Sequence, residues 1–162
     1  YKVGILWVTS KIHPAQEHFI SNLIRQKLLV AIDGQVPVKD SEKARYLLFL
    51  PENEFHEISL LYVYYLLRKS GKNVLYLGLS VPMENLIAVT AQFAPKYVYT
   101  HITSELLKEK MPRYLQQLSN SLHADKILCS GAIFKDLPDV VLPNKIDVIR
   151  DFEKVKKALK LS

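Results

Sequence analysis

The chain has 162 residues, 49% of them apolar, with a net charge of +6 and one cysteine. That length fits one domain with an attached segment and leaves room for a sizeable core. A lone Cys129 excludes an internal disulfide, no apolar run reaches the about 18 residues of a membrane span, and the positive charges form no nucleic-acid stripe. In chain order, ILWVTSKIHPAQEHFISNLIRQKLLVAID reads as a short helix, a turn and a long helix, with Pro14 in the first turn of the long one. Ile20, Ile24, Leu28 and Ala31 recur at helical spacing, and Phe19 and Leu23 widen that face. Glu17, Ser21 and Arg25 form a polar stripe, with His18 and Asn22 beside it. A stretch rich in turn formers follows, so residues 1–36 read as a helical segment, 37–44 as a linker and 45–162 as a separate unit.

From Tyr46 onward, short apolar runs alternate with helix-length patterns. RYLLFL reads as the first strand, and the helix after it stops at Arg68, Lys69 and Gly71. NVLYLGL is the second strand, with a helix over Met83 to Phe93 after Pro82. KYVYTHI is the third; Ser104 then caps a helix to about Leu122 that Pro112 kinks or splits. DKILCSG is the fourth, with a short connection, and KIDVIR is the fifth, with a helix over Phe152 to Leu161. Strands with few charges, each followed by a helix, predict an α/β fold: a doubly wound, flavodoxin-like parallel sheet in the order 2-1-3-4-5. Ligands bind such sheets beyond the C-terminal strand ends. LPENEFHE, SVP, HITS and CSGAIF all fall on that edge.

At the first of these, His56 stands between Glu54 and Glu57. A neutral imidazole there can offer one nitrogen to a metal while the other donates to a carboxylate. It can equally be an exposed loop histidine beside carboxylates that favour a helix N-terminus. No GxSxG, GxxxxGK, GxGxxG, HExxH or CxxC motif occurs, and no spacing rule links Glu17 to Glu54 as acid and base, so the chain reads as a non-enzyme. Trp7 is either a lid residue or core. Cys129, in KILCSGAIF, reads as a buried strand thiol, and a reducing cytoplasm is the natural setting. The first residue is Tyr1, which suggests a piece of a longer protein.

Taken together, these stretches resemble the C-terminal cobalamin-binding region of MerR-type transcription regulators, over essentially all 162 residues. In that family the signature after the first strand is D-x-H-x-x-G, which here reads EFHEIS. His56 matches the cobalt-ligating histidine, Glu54 the aspartate behind it, and Ser59 stands at the glycine. The family's S-x-L after the third strand becomes HIT, with His101 at the serine and Thr103 at the leucine; its paired glycines become Ser130 and Gly131. Trp7, Glu17 and His18 reproduce the spacing of residues that cover the upper face of the cofactor in the photosensory branch; the position after the tryptophan, a histidine in that branch, is Val8 here.

The resemblance implies cobalamin, as adenosylcobalamin or methylcobalamin, with His56 as the metal ligand. It also implies a homo-oligomer that reaches DNA through an N-terminal winged helix outside this chain, with no membrane partner. Side chains at 59, 101 and 130 narrow a slot that glycines keep open for the nucleotide tail in the family. Two alternatives follow: a domain that kept the fold, lost the cofactor and serves dimerisation, or a corrinoid methyl carrier.

Overall fold

The computed structural model describes residues 13–36, 45–104, 108–135 and 142–159. Trp7, Val8 and the linker 37–44 lie outside the described residues. The first described element is helix α1 (Pro14–Asp33), opened by a capping box in which His13 accepts from the chain ahead and Gln16 bonds back to the His13 N–H. Strand β1 (Arg45–Pro51), helix α2 (Ile58–Lys69), strand β2 (Asn73–Val81), helix α3 (Met83–Phe93) and strand β3 (Tyr97–His101) follow. Helix α4 (Met111–Ser121), strand β4 (Lys126–Ser130), a 3-10 turn (Ala132–Phe134), strand β5 (Ile146–Ile149) and helix α5 (Phe152–Ala158) complete the chain.

The five strands form one parallel sheet in the order β2-β1-β3-β4-β5, as the sequence pattern predicts. Strand alternation sorts side chains onto two faces. Leu47, Phe49, Val98, Ile127 and Cys129 pack with Leu86 of α3 and Met111, Leu115 and Leu118 of α4. Tyr46, Leu48, Leu50, Tyr97, Tyr99 and Leu128 pack with Leu60, Val63 and Leu67 of α2 and Val155 and Leu159 at α5. The sheet is therefore covered on both sides, which is why its strands read as continuous apolar runs.

Two expectations need correction. The described helix after β3 spans Met111–Ser121 with Pro112 in its first turn rather than its middle, and residues 105–107, just after the expected cap Ser104, lie outside the described residues. Proline is favoured there because an N–H at that point has no intrahelical acceptor; the Ser104 N–H donates to Glu54. The last helix ends at Ala158, a turn earlier than predicted.

Helix α1 packs against α2. Ile32 near its end is buried, while Phe19, Leu23 and Val30 are exposed. Among the described residues, no helix is long and apolar enough to cross a membrane.

Candidate functional site

The chain leaves β1 at Pro51 and turns through Asn53, whose φ of 66° is left-handed, before α2 starts. The turn is matched on the neighbouring strand by Ser80, at φ 48°. The Ser80 hydroxyl accepts from the Asn53 N–H at 3.1 Å, and its own N–H donates to the Glu54 carbonyl at 3.3 Å. Two non-glycine residues held at positive φ against each other mark a tightly determined backbone.

That turn carries Glu54 inward and His56 outward. Glu54 is fully buried, whereas the His56 side chain is 63% exposed. Oε2 of Glu54 accepts from the N–H groups of Thr103 and Ser104, each at 2.7 Å. Oε1 accepts from the N–H groups of Phe55 and His56, each at 3.0 Å, and lies 2.6 Å from Nδ1 of His56. Burial works to raise the Glu54 pKa; the N–H groups of Ser104 and Thr103, then His56, outweigh it and hold the carboxyl below its ordinary value. An ionised Glu54 can only accept, so Nδ1 carries the proton in this contact, and Nε2 is the ring nitrogen that the contact leaves open. A carboxylate behind a histidine in this way fixes the tautomer and raises the basicity of the free nitrogen, which is what a metal ligand requires. Among the described residues, no group of three or more His, Cys, Asp or Glu side chains could enclose an ion. A metal that brought its other ligands with it would need only the His56 imidazole from this site.

Beside this pair, strand register sets His101 opposite Ser130. The Ser130 hydroxyl lies 2.9 Å from Nδ1 of His101 and 2.7 Å from the Tyr99 hydroxyl. Burial pushes the His101 pKa down to about 4; Glu54 opposes that and His56 adds to it. The ring is therefore neutral at pH 7. Gly131 follows at φ 126°, pressed on the neighbouring strand end: a Cβ there would lie 1.9 Å from the Ile102 carbonyl oxygen. The Ile102 N–H donates to the Ser130 carbonyl at 2.7 Å. The ends of β3 and β4 are thus joined by His101, Ser130 and Gly131.

Of the residues singled out from sequence, the structure gathers Glu54, His56 and Thr103 in one group, with Thr103 contributing its backbone N–H. It gathers His101, Ser130 and Gly131 in an adjoining one. Ser59 lies in the first turn of α2, partly buried. Glu17 and His18 sit on α1: Glu17 accepts from the Ser21 hydroxyl at 2.7 Å, and His18, its side chain 79% exposed, lies 3.9 Å from Glu17. Trp7 is outside the described residues. Sequence reasoning missed Ser104, Tyr99 and Tyr76. The alternation of β3 and β4 was the available signal for Tyr99, since it puts Tyr99, His101, Leu128 and Ser130 on one face.

No family model matches the chain, and no curated protein matches it. Solved structures do. The monomethylamine corrinoid protein of Methanosarcina barkeri aligns with a TM-score of 0.69 at 18% identity, over 97% of this chain and 76% of its own. A chain of the methanol:cobalamin methyltransferase complex MtaBC from Methanosarcina barkeri aligns with a TM-score of 0.57 at 19% identity, over 98% of this chain and 60% of its own. A cobalamin-binding protein from Desulfitobacterium hafniense DCB-2 aligns at 17% identity with a TM-score of 0.46, over 99% of this chain and 68% of its own. The likeness to the first two is one of fold.

Proposed function

We propose that the chain is a corrinoid-binding module in which His56 Nε2 is an axial ligand to cobalt. The observation that carries this is the Glu54–His56 pair: a fully buried carboxylate, held by backbone N–H groups from the end of β3, that leaves one imidazole nitrogen free and exposed. The pair lies at the C-terminal strand edge, where doubly wound sheets take ligands. The fold shared with the corrinoid protein and the cobalamin methyltransferase chain supports the same reading. A bound corrinoid would bring a cobalt with its own ligands and supply the ligand-exchange chemistry, and His56, backed by Glu54, would be the protein donor. Glu54 and His56 fit that role. His101 and Ser130, hydrogen-bonded across adjoining strand ends, occupy volume that glycine would leave open.

Within this reading, the module senses the corrinoid for a MerR-type transcriptional regulator, a cytoplasmic homo-oligomer that is not itself an enzyme and contacts DNA through a domain outside this chain. The sequence resemblance supports that role. A methyl-group carrier is the second reading, favoured by the fold likeness to a corrinoid protein and a methyltransferase component. The coding sequence upstream of Tyr1 separates them: a winged helix favours the regulator, further helices alone the carrier.

The direct test is to incubate the protein in the dark with aquocobalamin, methylcobalamin or adenosylcobalamin, desalt, and record visible spectra. About one corrinoid per chain is expected to remain, with a lower-ligand band that His56→Ala alters. Retention of no more than a few per cent with any of them would sink the proposal.

A further inference from the structure

His56 is followed directly by a second carboxylate that the fold also holds. Glu57 is only 8% exposed. Its Oε2 accepts from Nε of Arg25 at 2.6 Å, and its Oε1 from the Tyr76 hydroxyl at 2.8 Å. Arg25 belongs to α1, 32 residues upstream, and Tyr76 to β2, 19 residues downstream. A fully exposed ion pair contributes little. Here the acceptor is nearly buried, so removing Arg25 leaves a carboxylate whose other side-chain partner among the described residues is the Tyr76 phenol. The pair is the described ion pair that joins α1 to the turn carrying His56.

The segment from Glu54 to Glu57 is therefore pinned at both ends. At one end Glu54 is held by the backbone after β3; at the other Glu57 is held by a helix outside the sheet and by a tyrosine of the edge strand. The Glu57 N–H also donates to the Phe55 carbonyl at 2.9 Å, which tightens the turn between them. In the chain, the exposed His56 lies between two buried carboxylates that are held by different elements.

We infer that Arg25 and Glu57 are positioning residues for His56, so that closure of α1 on α2 sets the direction in which Nε2 points. This rests on the reading of His56 as an axial ligand. Coupling between two events is reciprocal. If the closed Arg25–Glu57 pair raises the affinity of His56 for a metal centre by some factor, a metal centre on His56 holds α1 closed by the same factor. Helix α1 then carries the state of the site to whatever precedes it.

The experiment uses the full chain with Arg25→Gln, Glu57→Gln, the double variant and Arg25→Lys. It has three readouts: nitrogen-15 shifts of the His56 ring, titration with diaquocobinamide, which has no nucleotide base to compete with His56, and amide hydrogen exchange along α1. In wild type, the ring is expected to show a protonated Nδ1, and cobinamide to slow exchange in α1. Arg25→Gln and Glu57→Gln should each average the ring signals and weaken cobinamide binding about 5–10-fold. The double variant should be no worse than either single one, and Arg25→Lys should recover part of the loss. Faster exchange in α1 with unchanged ring shifts and unchanged affinity would reduce the pair to a staple and overturn the inference. A wild type that ignores cobinamide, while its His56 ring still responds to Arg25→Gln, would overturn the corrinoid reading and leave the positioning role standing.

Discussion

Glu54 is buried and ionised, and five hydrogen bonds from four residues explain how. Replacing it with Gln puts an amide donor against backbone N–H groups. Glu54→Gln is expected to lower the unfolding free energy by about 3 kcal/mol in urea titrations. Glu54→Asp should cost less, because it keeps the charge although it shortens the reach. His101 makes a second prediction, in pH. Its folded pKa of about 4 lies below the 6.5 of the unfolded chain, so the unfolded state binds more protons between those values. The stability due to the neutral ring is whole above pH 6.5 and is lost as pH falls through 4. The limit is about 3 kcal/mol. His101→Gln should flatten the stability profile across that window, measured by denaturation at half-unit steps. The pairing of His56 with Glu54 was legible in one short motif. The partnership of Glu57 with Arg25 was not, because the pair is separated by 32 residues and both look like ordinary helix-surface charges.

The elements show where pattern reading succeeds. Each of the five strands is an apolar run bounded by turn residues, and buried parallel strands admit little else. Ser104 is a good N-cap in isolation, and the residues it would cap lie outside the described ones. What the local sequence could not reveal is that a carboxylate 50 residues earlier takes its N–H. Pro112 was the better guide, since its ring fits the first turn of a helix. The close approach of β3 and β4 was equally hidden. Gly131 looks like half of a glycine pair, yet its φ of 126° and its contact with Ile102 are what exclude any side chain. Gly131→Ala is expected to destabilise the fold by more than about 3 kcal/mol, or to part the ends of β3 and β4. Thermal unfolding and the amide shift of Ile102 would register either outcome.

At the scale of the whole molecule, both faces of the sheet are sealed, and Cys129 reports on that seal. Its thiol is fully buried, and burial, then Asp147, pushes its pKa up to about 12. In the native state a thiol reagent should label Cys129 only through opening of the sheet. The labelling rate is expected to rise with urea in step with global unfolding, rather than at the rate of local fraying. The hydrogen bonds of Glu54 have a further consequence in time. During synthesis the histidine leaves the ribosome well before the backbone that aims it, since the N–H of Ser104 comes 50 residues after Glu54. The crossover through β2 and α3 must form, and β3 must pair with β1, before the ring has a fixed direction. A nascent chain stopped before Tyr97 therefore carries the histidine without the backbone that anchors Glu54 behind it, and the ring gains its direction only once the centre of the sheet has been laid down.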